Sequence, residues 1–103
     1  MSVEIKATGE TVTAFLKGEI DHHTAGDMRR KIDESVDLNM PDVLSLDFSA
    51  VTFMDSSGIG LVMGRYRSIS KYDGILRIVG TSEQQRKIMR LAGLGKIASI
   101  EEH

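Results

Sequence analysis

Cysteine is absent from this sequence, proline occurs once, at Pro41, and aromatic residues make up only 5% of the chain. Without cysteine, disulfides, thiolate chemistry and cysteine-based zinc sites are excluded. The formal net charge is only −2, and the basic residues are scattered rather than gathered into a stripe. That pattern argues against direct binding of nucleic acid. No apolar run approaches the ~20 residues that a membrane span needs. The N-terminal MSVEIKATGE has neither a basic start nor an apolar stretch, so it does not read as a signal peptide. Repeats, low-complexity tracts and linkers are also missing. What is present is an ordinary globular composition, 41% apolar and 27% charged, over 103 residues. These features imply one compact cytoplasmic domain spanning residues 1–103.

Short β-type runs alternate with longer helical ones. Val3–Ala7 and Thr11–Lys17 read as strands joined by a turn at Thr8-Gly9-Glu10, an antiparallel hairpin. Gly18–Thr24 reads as a loop, with Thr24 as N-cap of a helix and Asp27 suiting its first turn. Ala25, Met28, Ile32 and Val36 recur at helical spacing. Val43–Phe48 reads as a buried strand, and Ser49–Met54 as a crossing loop. Ile59, Val62, Met63, Tyr66 and Ile69 mark one face of a second helix. Gly74–Gly80 is a further strand, and Ser82 with Gln85 forms a capping box for a third helix carried by Ile88, Leu91 and Ala92. Gly93 suits its C′ position, with Leu94 folding back, and Ile97–Glu101 is a last strand. Strands separated by helices need parallel crossovers. The expected fold is α/β: a mixed sheet with an N-terminal antiparallel hairpin, then helix–strand crossovers with helices packed on the sheet. Three helices are few for covering both faces.

Two polar clusters carry the chemistry. In FMDSSGIG, Asp55, Ser56 and Ser57 open the second helix, whose N-terminus has free N–H groups and a partial positive charge. A plain capping role accounts for Asp and Ser there, and Gly58 and Gly60 could serve packing alone. A serine-hydrolase elbow needs glycine two residues to each side, and both Ser56 and Ser57 fail it. Gly58–Gly64 nearly matches a dinucleotide fingerprint, but its third glycine comes one residue late. A phosphate-binding loop would need lysine after the last glycine, where Arg65 stands. A phosphate on one serine would add about −1.5 to −2 charges. The helix dipole would offset ~0.3–1 kcal/mol of its effect on folding. At a docking surface an unmatched dianion would cost ~2–5 kcal/mol, enough for a switch at ~1.4 kcal/mol per tenfold in affinity. The second cluster, Asp21, His22 and His23, precedes the first helix. It reads as a polar loop or as a docking surface shared with Ser56. A metal site is disfavoured, because adjacent loop side chains diverge and no third ligand is evident.

FMDSSGIGLVMGRY and GEIDHHT, in this order and separation, resemble the bacterial anti-sigma factor antagonists of the STAS domain family, over Val3–Ile100. The likeness is to the sporulation branch, acting on the anti-sigma factor of sigma-F. The resemblance implies a non-enzymatic binding protein with no cofactor and no bound metal. Its partners would be an anti-sigma factor that is also a serine kinase, a metal-dependent serine phosphatase and, indirectly, a sigma factor. No direct contact with nucleic acid or membrane is implied. The unphosphorylated form would bind the anti-sigma factor and release the sigma factor, and phosphorylation of Ser56 would end that binding. Asp21, His22, His23, Asp55, Ser57 and Gly58 would form the partner surface, with Gly58 letting the partner's transfer site approach the backbone. A STAS regulator of the general stress response or of a transporter, and a small nucleotide-binding protein, are the alternatives. Members of the family often continue past the last strand into a further helix, whereas this sequence ends at His103.

Overall fold

Residues 2–101 are described by a computed structural model of the protein. The elements are β1 (Val3–Thr8), β2 (Thr11–Ile20), α1 (Ala25–Asn39), β3 (Val43–Met54), α2 (Ser56–Ser70), β4 (Ile75–Val79), α3 (Glu83–Leu91) and β5 (Ser99–Ile100). A short 3-10 turn, Leu94–Lys96, precedes β5. The five strands lie in sequence order, with β1–β2 antiparallel and every later pair parallel. The two-residue loop Gly9-Glu10 closes the hairpin, and Gly9 holds the positive φ that such a tight turn uses.

The sheet is covered on one face only. Right-handed crossovers between strands laid down in sequence order put successive helices on the same face. Burial follows that rule. Val12, Leu44 and Leu76 are neighbours across the sheet and are buried, as are Ala14, Leu46 and Ile78 in the next row. The alternate row, Thr13–Ser45–Arg77–Ser99, is polar, and Arg77 pairs with Glu101 at 2.6 Å. The shortage of helix expected for a two-faced sheet is therefore met by leaving one face polar rather than by adding helices.

Against the covered face α1 buries Met28, Ile32 and Val36, as its spacing predicts. The α2 stripe is rotated from the expected one: Leu61, Val62, Arg65, Ser68 and Ile69 are buried, whereas Tyr66 is exposed. The reason is that α2 packs on α1 as well as on the sheet. Asp33 of α1 ties the two together, accepting from the Ser68 hydroxyl at 2.7 Å and from an Arg65 terminal nitrogen at 3.2 Å. Burial pushes the Arg65 guanidinium pKa below its usual value, and Asp33 opposes that shift. In α3 the expected face is displaced. Met89 is buried, while Leu91 is 81% exposed and Ile88 is also exposed, because this short helix reaches the core by one side chain. The Ser82–Gln85 capping box is formed, and Gly93 takes a positive φ just before the fully buried Leu94. The last strand is shorter than expected, because Ile97 completes the 3-10 turn.

Two segments read as loops are strand. Gly18–Ile20 continue β2, and Ser49–Met54 continue β3; they pair with each other through Lys17↔Ala50, Gly18↔Val51, Glu19↔Phe53 and Ile20↔Met54. Register shifts on each side of Lys17–Gly18, with a positive φ at Gly18, let the pairing continue past an apparent break. Ser49, Ala50, Thr52 and Phe53 are exposed, so this half of β3 shows no burial alternation for a sequence reading to catch.

Replacing Leu46, fully buried at the centre of the covered face, tests this core. Leu46→Ala is expected to lower unfolding stability by about 2–5 kcal/mol, measured by urea denaturation.

Candidate functional site

The extended β2–β3 pairing sets the site. Because these strands are parallel and Ile20 is opposite Met54, the loop after β2 and the start of α2 emerge side by side. The Asp55 N–H donates to the Ile20 carbonyl at 3.2 Å, joining the two exits directly. Asp21 and Asp55–Ser57 are thus brought to one sheet edge.

Asp55 is the N-cap of α2. Its backbone is extended, and its carboxylate accepts from the Ser57 N–H at 2.7 Å. Ser56 is the first residue of the helix and is exposed; Ser57 is half-buried. Gly58 is buried, and a Cβ there would collide with the Met54 side chain. Its missing side chain therefore serves packing inside the molecule. Gly58, Gly60 and Gly64 all lie within α2 and none has a positive φ, so they do not form a loop around a phosphate.

Asp21 closes the neighbouring loop. Its carboxylate accepts from the His23 N–H at 2.8 Å and the Thr24 N–H at 3.1 Å. These bonds, that from His23 first, hold its pKa below the usual carboxylate value despite some desolvation. The Thr24 hydroxyl does not cap α1 as expected. It turns back to donate to the Glu19 carbonyl at 2.8 Å and accepts from the Asp21 N–H at 3.0 Å. The aspartate three residues earlier has taken over the loop amides. His22 and His23 are exposed, with ring centroids 3.9 Å apart. The His23 Nδ1 lies 3.8 Å from the Asp21 carboxylate. Among the described residues no three His, Asp or Glu side chains converge as metal ligands.

The remaining wall of this edge escaped sequence reasoning. Phe53, 53% exposed, lines a cleft of about 490 Å3 between the end of β3 and α3, with Met54, Gln85 and Ile88. A lone aromatic in a run taken for loop offered no periodic signal.

The same fold recurs in known proteins. Residues 2–103 match the STAS domain family. The chain belongs to that family. Within it, this STAS domain is 36% identical over 85% of its length to an anti-sigma F factor antagonist of Lysinibacillus sphaericus, covering 75% of that protein. It is 29% identical over 98% of its length to an anti-sigma-B factor antagonist of Listeria monocytogenes, covering 89% of that protein. Among solved structures it superposes with a TM-score of 0.75 on the Bacillus cell fate determinant SpoIIAA in its phosphorylated form. That likeness has 32% identity and covers 98% of this chain and 92% of the other.

Two outcomes check the local geometry. Gly58→Ala is expected to destabilise: overpacking costs ~1–3 kcal/mol, against ~1 kcal/mol gained in helix propensity. The cost should shrink in a Met54→Ala background, read from a double-mutant cycle. For Asp21, a lowered folded pKa means that its stabilisation is complete above the unfolded value of ~3.9 and is lost as pH falls through the folded pKa. An NMR titration that follows the Asp21 side-chain carboxyl carbon should find its midpoint below the usual aspartate value.

Proposed function

We propose that this chain is an anti-sigma factor antagonist whose binding is switched by phosphorylation of Ser56. The observation that supports this reading best is the placement of an exposed serine hydroxyl at the first residue of α2, beside the Asp21 loop, in a STAS domain. The unphosphorylated form docks this edge on an anti-sigma factor that is also a serine kinase, and so frees a sigma factor. Exposed Phe53, three residues before Ser56 in the chain, supplies an apolar contact. The Asp21 loop is held rigid by its own hydrogen bonds, so little ordering is needed on docking.

Phosphate on Ser56 would sit where helix N–H groups and dipole favour an anion, while the Asp55 carboxylate repels it. These effects oppose each other, so the fold is retained. The docked interface has no such compensation, and an unmatched dianion there drives release. A metal-dependent phosphatase resets the protein. ATP and metal belong to the partners, and the chain itself is a cytoplasmic binding protein rather than an enzyme. The sporulation branch, sigma-F, fits DHHT and the Lysinibacillus relative. A general-stress role is the second reading, favoured by the Listeria relative, which aligns over almost the whole chain.

After incubation with the kinase and Mg-ATP, intact mass and peptide mapping should find one phosphate, on Ser56, and none on Ser56→Ala. Calorimetry should find that Ser56→Ala binds the unmodified partner like the wild type. Ser56→Asp should fold normally and bind at least tenfold more weakly. Equal affinities for the two variants would overturn the reading.

A further inference from the structure

A groove of about 650 Å3 runs between α1 and α2, from Ser57 at its head to Lys71 at its foot. Gly26, Gly60 and Gly64 line it. All three lie in helices, none has a positive φ, and a Cβ on any of them would meet nothing within 4 Å. Neither backbone geometry nor internal packing asks for glycine there, yet glycine weakens a helix relative to alanine. Gly58 is the contrast, since Met54 fills its missing side chain from within.

The groove is also cationic, in a chain of net charge −2. Arg29 and Arg67 line it and make no ion pair among the described residues. Lys71 reaches Asp37 only at 3.6 Å. Arg65 lines the groove too and is 4% exposed. Its Nε lies 2.9 Å from Asp33 Oδ1 and a terminal nitrogen donates to Asp33 Oδ2 at 3.2 Å, so Asp33 pairs with it.

Leu61 is the one large aliphatic residue in this lining, which is unlike the apolar, aromatic walls of small-molecule pockets. The path from Ser57 to Lys71 follows α2 for about 21 Å at ~1.5 Å per residue, the length of a helix of about four turns. Gly60 and Gly64, one helical turn apart, leave room for a second backbone.

We propose that this groove seats an acidic helix of the anti-sigma factor, continuing the docking surface that begins at Ser56; the inference rests on the antagonist reading. The glycines let the incoming backbone approach. Arg29, Arg67 and Lys71 meet its carboxylates. Complementary charge gives the contact its orientation and on-rate.

Calorimetry with the host's anti-sigma factor tests this, using wild type, Ser56→Asp, Gly60→Leu and the double charge reversal Arg67→Glu/Lys71→Glu. Gly60→Leu and the reversal should each weaken binding at least tenfold, and the reversal should flatten its salt dependence. Gly60→Ala/Gly64→Ala serves as the folding control: its Tm should rise by a few degrees while its affinity falls. If Ser56→Asp weakens binding but every groove variant binds like the wild type, the groove proposal is overturned and the antagonist reading stands. If the wild type itself does not bind, both fall.

Discussion

The functional edge depends on a parallel strand pairing that runs on past two register shifts. Lys17–Ile20 and Ala50–Met54 continue β2 and β3 past the register shifts beside Lys17–Gly18, ending on the fully buried Ile20. Backbone pairing holds them, with Ile20 buried and Val51 and Met54 packed against the core, and the bond from Asp55 N–H to the Ile20 carbonyl ends the extension. Without this pairing the Asp21 loop and the first turn of α2 would be two independent loops. With it, their polar groups occupy one surface whose geometry is carried by the sheet.

Rigidity on that surface is internal. Asp55 caps its own helix, Asp21 closes its own loop, and Gly58 accommodates Met54 from the adjoining strand. Ser56 alone among the DSSG residues is exposed. The supporting groups are spent on holding shape, which leaves the exposed hydroxyl as the group free to change. A charge added there can alter what docks without disturbing the hydrogen bonds that hold the loop, a separation that a binding switch requires.

The partnership of α1 and α2 follows a different logic. Their contact combines apolar packing with the Asp33–Arg65–Ser68 cluster, which is half open to solvent on the Asp33 side. A buried guanidinium is weak support for stability by itself, but a directional one between two helices specifies their relative placement. The groove beside it is the space that this placement leaves.

Much of the architecture was legible in the sequence. The hairpin, the three helices, the Ser82–Gln85 box and the buried row Met28–Ile32–Val36 are local patterns, governed by turn chemistry and side-chain periodicity. The two clusters could also be named from residue type, since serine and aspartate at a helix start are a local signal. Tertiary contact decided the rest. The outer half of β3 is mostly exposed and, like the end of β2, lacks regular alternation, so only the partner strand reveals them. The faces of α2 and α3 were turned by neighbours that a one-dimensional period cannot represent. Whether Thr24 or Asp21 meets the loop amides was a competition between two adequate acceptors, settled by where the chain turned. Local propensity chooses elements, but register and facing are properties of pairs, and a pair exists only once the chain has folded.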